Sequence, residues 1–286
     1  MTTRIAATAV FAALLATAAR ADYCAPLTVE ATATFAQDSN GLAVIPATLG
    51  SESEPMLIDT SSAISEISAD TVTALHLRTF ANQFGPYNPS GNYNEPAAVV
   101  SPFTIDNAST KSLVFRVSTM PREAAGTIAT DILSSYDVEL DFGGGKFKLL
   151  SPEHCFGKVV YWQASAIAVV PMTVLSDGRI VVSVTVDGHP MRALLDTASL
   201  VSKIGADTAH GQLGVSSGGR THTFGSLAFE GVQVSSPPLK IVQTLSDASY
   251  RPVPPEDADM TLGMDVLQHL HLYIAYKEQR LYVTPR

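Results

Sequence analysis

Two short stretches join a carboxylate to a threonine, a small residue and a serine: Asp59-Thr60-Ser61-Ser62 and Asp196-Thr197-Ala198-Ser199. The aspartates stand 137 positions apart (196 − 59). The same offset relates Asn40-Gly41 to Asp177-Gly178, Thr48 to Thr185, Ser65-Glu66-Ile67 to Ser202-Lys203-Ile204, and Ala69-Asp70-Thr71 to Ala206-Asp207-Thr208. A chain that sets one carboxylate at the same point of each half can bring the two into one site. Two carboxylates at close range do not both ionise freely, so they share a proton. The ionised member can act as general base on a water held between them, while the protonated member polarises the carbonyl under attack. This chemistry needs no metal and no covalent intermediate, so no cofactor is expected.

Each aspartate follows an apolar run that reads as a buried strand, Met56-Leu57-Ile58 in one case and Ala193-Leu194-Leu195 in the other. The turn at residues 38–41, ending in Asn40-Gly41 between the apolar runs 29–35 and 42–49, predicts a hairpin. Asp177-Gly178 between residues 172–175 and 180–186 predicts its counterpart, and Asp187-Gly188 a further turn into the strand before Asp196. Residues 69–77 and 206–213 are amphipathic and read as short helices. Both halves close alike: Thr127-Ile-Ala-Thr-Asp131-Ile-Leu133 and Thr261-Leu-Gly-Met-Asp265-Val-Leu267 each lead into two strand-like runs, here at an offset of 134 (265 − 131). Residues 82–97 are dense in turn formers, carry Tyr87 and Tyr93, and read as a surface loop. The fold expected is mainly β, with two pseudo-symmetric lobes at 22–156 and 157–286, an inter-lobe cleft, and a connection over 151–170.

At 286 residues and 46% hydrophobic, the chain is long and apolar enough for two domains with real cores. Net charge is −9, and −11 once Arg4 and Arg20 are removed with a leader (−9 − 2), which argues against nucleic acid or anionic lipid as partner. The first 21 residues read as a signal peptide: Arg4, an apolar stretch from Ile5 to Ala18 too short to span a bilayer, then Ala19-Arg20-Ala21 as a cleavage site. Export to the periplasm or the medium is therefore expected, with no membrane anchor after cleavage. In an oxidising compartment the only two cysteines, Cys24 and Cys155, are expected to pair, closing 131 positions (155 − 24). The competing reading makes Cys155 a nucleophile beside His154, although adjacent residues seldom point at each other.

Leu57-Ile58-Asp59-Thr60-Ser61-Ser62 and Leu194-Leu195-Asp196-Thr197-Ala198-Ser199 resemble the Asp-Thr-Gly-Ser/Ala loop of aspartic proteases. Leu262-Gly263 before Met264-Asp265 resembles the hydrophobic-hydrophobic-glycine element that crosses behind that loop. The similarity spans nearly the whole chain after residue 21, and the lobe length is closer to exported bacterial retropepsin-like proteins with two fused lobes than to pepsin. The resemblance implies an acid-protease barrel in each lobe and Asp59 and Asp196 as the catalytic pair. It also implies that Thr60 and Thr197 bond across the lobe interface, and that Ser62 and Ser199 orient the outer carboxylate oxygens. Residues 82–97 would be the flap over a peptide or protein substrate. Two fused lobes complete their own site, so a monomer is expected.

The chain departs from the family pattern where glycine follows Asp-Thr, which here is Ser61 and Ala198, and at Ala129, the counterpart of Gly263. A β-carbon at 61 or 198 is expected to crowd the carboxylates or shift the loop. Two functions follow: an exported endopeptidase, or a catalytically silent module that binds peptide or cell-wall fragments in the same cleft. A purely structural interaction domain would leave the paired aspartates coincidental. Other motifs read as structure. Gly214-Val215-Ser216-Ser217-Gly218 lacks the strand of a serine-hydrolase elbow, Gly143-Gly144-Gly145-Lys146 lacks phosphate-loop spacing, and His269 with His271 lacks a third metal ligand nearby. The charged residues at 66–70 and 256–259 read as solvated surface.

Overall fold

The computed structural model describes residues 24–82, 95–118, 123–216, 219–245 and 258–286. The first 21 residues, most of the candidate flap, and Ser217-Gly218 lie outside them. The described chain is mainly β, built on a 10-stranded and a 14-stranded sheet. Alternation of apolar and polar residues forms the strands: Ala43–Leu49 and Ile180–Val186, each seven residues long, bury the same positions in the same order. Each is the middle strand of a layer that carries the strand before an aspartate. Ala43–Leu49 pairs antiparallel with Glu52–Ile58, and Ile180–Val186 with His189–Leu195.

Behind the two lobes runs a six-stranded stretch of the larger sheet, in the order Val29–Thr34, Lys146–Leu150, Asp137–Asp141, Leu270–Ala275, Arg280–Pro285 and Ala168–Val174. The order is the same read from either edge inward, half by half. Its centre is the antiparallel pairing of Asp137–Asp141 with Leu270–Ala275, where Val138 faces Ile274 and Leu140 faces Leu272. Wholly buried Val138, Leu140, Leu272 and Ile274 therefore fuse the cores of the two halves.

Two expectations are corrected here. Neither sheet closes into a barrel: the first-lobe sheet runs from Arg78–Asn82 to Ala108–Thr110, and the second merges with the shared sheet instead of returning on itself. The strand over 29–35 also does not form the hairpin at residues 38–41. That turn joins Ala36–Gln37 to Ala43–Leu49, while Val29–Thr34 leaves to pair with Lys146–Leu150. The short-range signal located the turn correctly, but the partner of the longer strand lies more than a hundred residues away.

Other local readings are met in part: the first helix ends at Ala74, short of residue 77, and residues 95–97, read as loop, begin the strand Glu95–Val100. Helices occupy Ala69–Ala74 and Ala206–Leu213. Ser68 caps the first by accepting a hydrogen bond from the Thr71 N–H at 3.0 Å. Gly214 ends the second in the left-handed conformation (φ 68°), which disposes of the serine elbow, because an elbow follows a strand. Residues 142–145 are the hairpin turn between Asp137–Asp141 and Lys146–Leu150. No helix among the described residues is long and apolar enough to cross a membrane.

Candidate active site

Asp59 and Asp196 each leave the end of a buried strand and are anchored from behind. The Asp59 N–H donates to Ile128 O at 3.0 Å and the Asp196 N–H to Leu262 O at 2.9 Å. Ile128 and Leu262 belong to Gly126–Ile128 and Met260–Leu262, which pair in parallel with the two aspartate-bearing strands. The chain beyond them fastens the loops: Thr130 N–H donates to Ser62 O at 3.1 Å and Met264 N–H to Ser199 O at 2.8 Å. A serine–aspartate pair completes the support in each lobe. Asp131 accepts from Ser65 N–H (3.0 Å) and Oγ–H (2.6 Å), and Asp265 from Ser202 N–H (2.9 Å) and Oγ–H (2.6 Å). These four residues went unrecognised as supports in the sequence, although both serines stand at the 137 offset and both aspartates at the 134 offset.

The two loops meet. The Thr60 hydroxyl donates to Leu195 O at 2.9 Å and the Thr197 hydroxyl to Ile58 O at 2.7 Å. The Thr60 N–H donates to Thr197 Oγ1 at 3.1 Å and the Thr197 N–H to Thr60 Oγ1 at 3.3 Å. Each hydroxyl therefore gives its one proton to a carbonyl of the opposite strand and accepts from the opposite N–H. Both threonines are buried, so these bonds are not exchanged for water. The reciprocal lattice holds two residues 137 positions apart in one fixed relation.

Within that frame both carboxylates are buried, Asp59 at 0% and Asp196 at 3% exposure. Asp59 Oδ1 accepts from Ser61 N–H (2.9 Å), Ser62 N–H (3.0 Å) and the Ser61 hydroxyl (2.7 Å). Asp196 Oδ1 accepts from Ala198 N–H at 3.2 Å, and the Ser61 hydroxyl also reaches it at 3.1 Å. One hydroxyl thus lies between the two carboxylates, where a glycine would leave room. Neither Ser61 nor Ala198 takes a positive φ, so the loop accepts their β-carbons without backbone strain, and the expected crowding does not arise in the backbone. The Ser62 N–H meets Asp59, and the Ser62 hydroxyl donates to Ile64 O at 3.1 Å. The Ser199 hydroxyl donates to Val201 O at 2.9 Å. A cation also stands at the site, with Lys203 Nζ 3.7 Å from Asp196 Oδ2.

Gly263 and Ala129 have the same extended backbone, with φ −95° and −110°. A β-carbon at Gly263 would nevertheless approach Val201 C and O within 2.5 and 2.6 Å and Ser199 O within 2.9 Å. Ala129 is itself wholly buried, so the first lobe has opened around its methyl and the second has not. Gly263→Ala is expected to destabilise the protein by about 1–3 kcal/mol, measured by chemical unfolding, because backbone must move to admit the methyl. Ala129→Gly should cost about 1 kcal/mol or less.

Cys24 and Cys155 are bonded, with Cα atoms 4.8 Å apart. This rules out Cys155 as a nucleophile, and His154 turns elsewhere, its Nε2 lying 2.5 Å from Asp137 Oδ2. Asp137 and Glu139 head a polar network behind the shared sheet that the sequence did not reveal. Burial pushes the Asp137 carboxyl above its usual value, against the hydrogen bonds of His154 and Tyr273. Burial acts the same way on Glu139, but the hydrogen bonds from His271 and Tyr161 and the charge of Lys148 outweigh it and hold that carboxyl low. His271 is committed there, 3.0 Å from Glu139 and stacked on Trp162 at 3.9 Å between centroids. Glu66, read as solvated surface, is instead buried at 4% exposure and bonded to Arg116 on the neighbouring strand. At the other stretch so read, Ala258 is buried and Asp259 Oδ2 accepts the Arg192 N–H at 2.8 Å.

No family model and no curated protein sequence matches the chain. Solved structures do. The aspartic proteinase from Irpex lacteus matches with a TM-score of 0.53 at 14% identity, over 89% of this chain and 96% of that one. Basic 7S globulin from soybean matches with a TM-score of 0.50 at 10% identity, over 91% of this chain and 95% of that one. The fold is that of the two-lobed aspartic proteinases. At such identities the likeness defines the architecture, and the chemistry rests on the site. The similarity drawn from lobe length to exported bacterial proteins finds no support in these matches.

Proposed function

We infer that the protein is an exported aspartic endopeptidase that hydrolyses peptide bonds through Asp59 and Asp196. The observation that carries this reading is the meeting of two buried aspartates from opposite lobes over a reciprocal threonine lattice. Rigid loops on strand ends are what a water-activating pair requires, because a displaced carboxylate loses the shared proton. The pair works with one proton between its members, so cleavage should fall as pH rises past its upper apparent pKa. The disulfide supports an oxidising compartment and hence export. The decisive experiment is digestion of a diverse peptide mixture by the protein starting at Asp22, from acidic to neutral pH. Cleavage confined to the acidic side is expected. A folded protein that cleaves nothing at any pH would overturn the reading.

A second reading, a silent module that binds peptide or cell-wall fragments in the cleft, draws on one feature. The Ser61 hydroxyl lies where a water would bridge the two Oδ1 atoms, at 2.7 and 3.1 Å. A globulin with the same fold is in keeping with it. Ser61→Gly separates the readings. If the hydroxyl merely competes with water, glycine should raise kcat roughly tenfold, about the worth of one net hydrogen bond. A fall in kcat would mean that the hydroxyl takes part in the reaction.

A further inference from the structure

The two lobes differ at one charged position beside the aspartates. In the first, Glu66 faces Arg116 across Glu66–Ser68 and Leu113–Ser118, and the pair bonds to itself. In the second, the corresponding residues Lys203 and Lys240 face each other across Lys203–Gly205 and Pro238–Val242. Like charges directly opposite repel. Lys240 is exposed, whereas Lys203 is partly buried and places its ammonium 3.7 Å from Asp196 Oδ2.

We propose that Lys203 is a positioning residue that compensates the negative charge of Asp196 and thereby sets the pH at which the aspartate pair gives up its shared proton. The inference rests on the reading of Asp59 and Asp196 as one titrating pair. A cation beside one carboxylate favours the ionised state of the pair and so lowers its upper apparent pKa. Asp131 and Asp265 accept from Ser65 and Ser202, Glu66 and Arg116 hold each other, and Lys240 points to solvent. At the position of Lys203 the first lobe has Glu66, which bonds to Arg116. The side chains of Lys203 and Asp196 are 24% and 4% exposed, so salt screens the pair only in part.

The test compares Lys203→Met and Lys203→Gln with Lys203→Arg. The upper limb of the kcat/KM profile should move up by about one pH unit in the two neutral variants, the lower end of the range for a carboxylate that loses a cationic neighbour. Lys203→Arg should keep the limb at its original place. Raising ionic strength should move the wild-type limb toward that of Lys203→Met. Site-resolved 13C titration of the two aspartate carboxyls gives the same answer without turnover. An inactive wild type would therefore sink the protease reading, while the carboxyl titrations still decide the role of Lys203. A limb and titrations unmoved by Lys203→Met, or moved equally by Lys203→Arg, would overturn it.

Discussion

Asp59→Asn and Asp196→Asn are each expected to reduce kcat/KM at acidic pH by about 10³-fold or more, the scale on which general acid–base catalysis contributes. Asparagine keeps the shape of aspartate and one oxygen to accept the loop N–H groups, but it carries neither the negative charge nor the proton that the pair exchanges. The protein should survive the change, because the lattice joining the loops runs through Thr60, Thr197, Ile58 O and Leu195 O and involves neither carboxylate. The combined variant should be no worse than either single one, since two groups that act as a unit are lost together. Equal thermal midpoints across wild type and variants would locate the loss in chemistry. Cleavage that survives both substitutions would place the reaction elsewhere.

Removing the disulfide is the second large expected effect, and it acts on stability. The Cys24–Cys155 bridge closes 131 positions, and the chain-entropy estimate for a loop of that length is about 4–5 kcal/mol at most. The bridge also pins the chain before Val29–Thr34, whose pairing with Lys146–Leu150 forms one edge of the shared sheet. Cys155 N–H donates to Ala25 O at 3.1 Å and Ser151 N–H to Thr28 O at 2.9 Å, so the native ends already lie together. The gain therefore lies chiefly in the unfolded chain, which the bridge restricts. The double variant Cys24→Ala/Cys155→Ala should unfold at a clearly lower guanidinium concentration than the oxidised wild type. Reductant should bring the wild type to the same midpoint and leave the variant unmoved. Coincident midpoints without reductant would show that the bridge contributes little.

The sequence by itself determined the parts of this protein that depend on near neighbours. Apolar periodicity marked the strands that end at Asp59 and Asp196, Gly-containing turns marked the hairpins, and residues 69–77 and 206–213 carried helical spacing, where helices form over Ala69–Ala74 and Ala206–Leu213. These follow from backbone preference and from which face a side chain takes, both read within a few residues. The tertiary structure alone decided what depends on distant partners. It sent Val29–Thr34 to Lys146–Leu150 instead of into the nearby hairpin, and it left the lobe sheets open where barrels were expected. It buried Glu66 against Arg116, although a glutamate in a charged stretch reads as surface. The same holds inside the site: Ser61 bonds a carboxylate 135 positions away, and Lys203, opposite another lysine on the neighbouring strand, meets Asp196. Local pattern specifies which face a residue presents, whereas the charge or hydroxyl it meets there is set only when the sheets assemble.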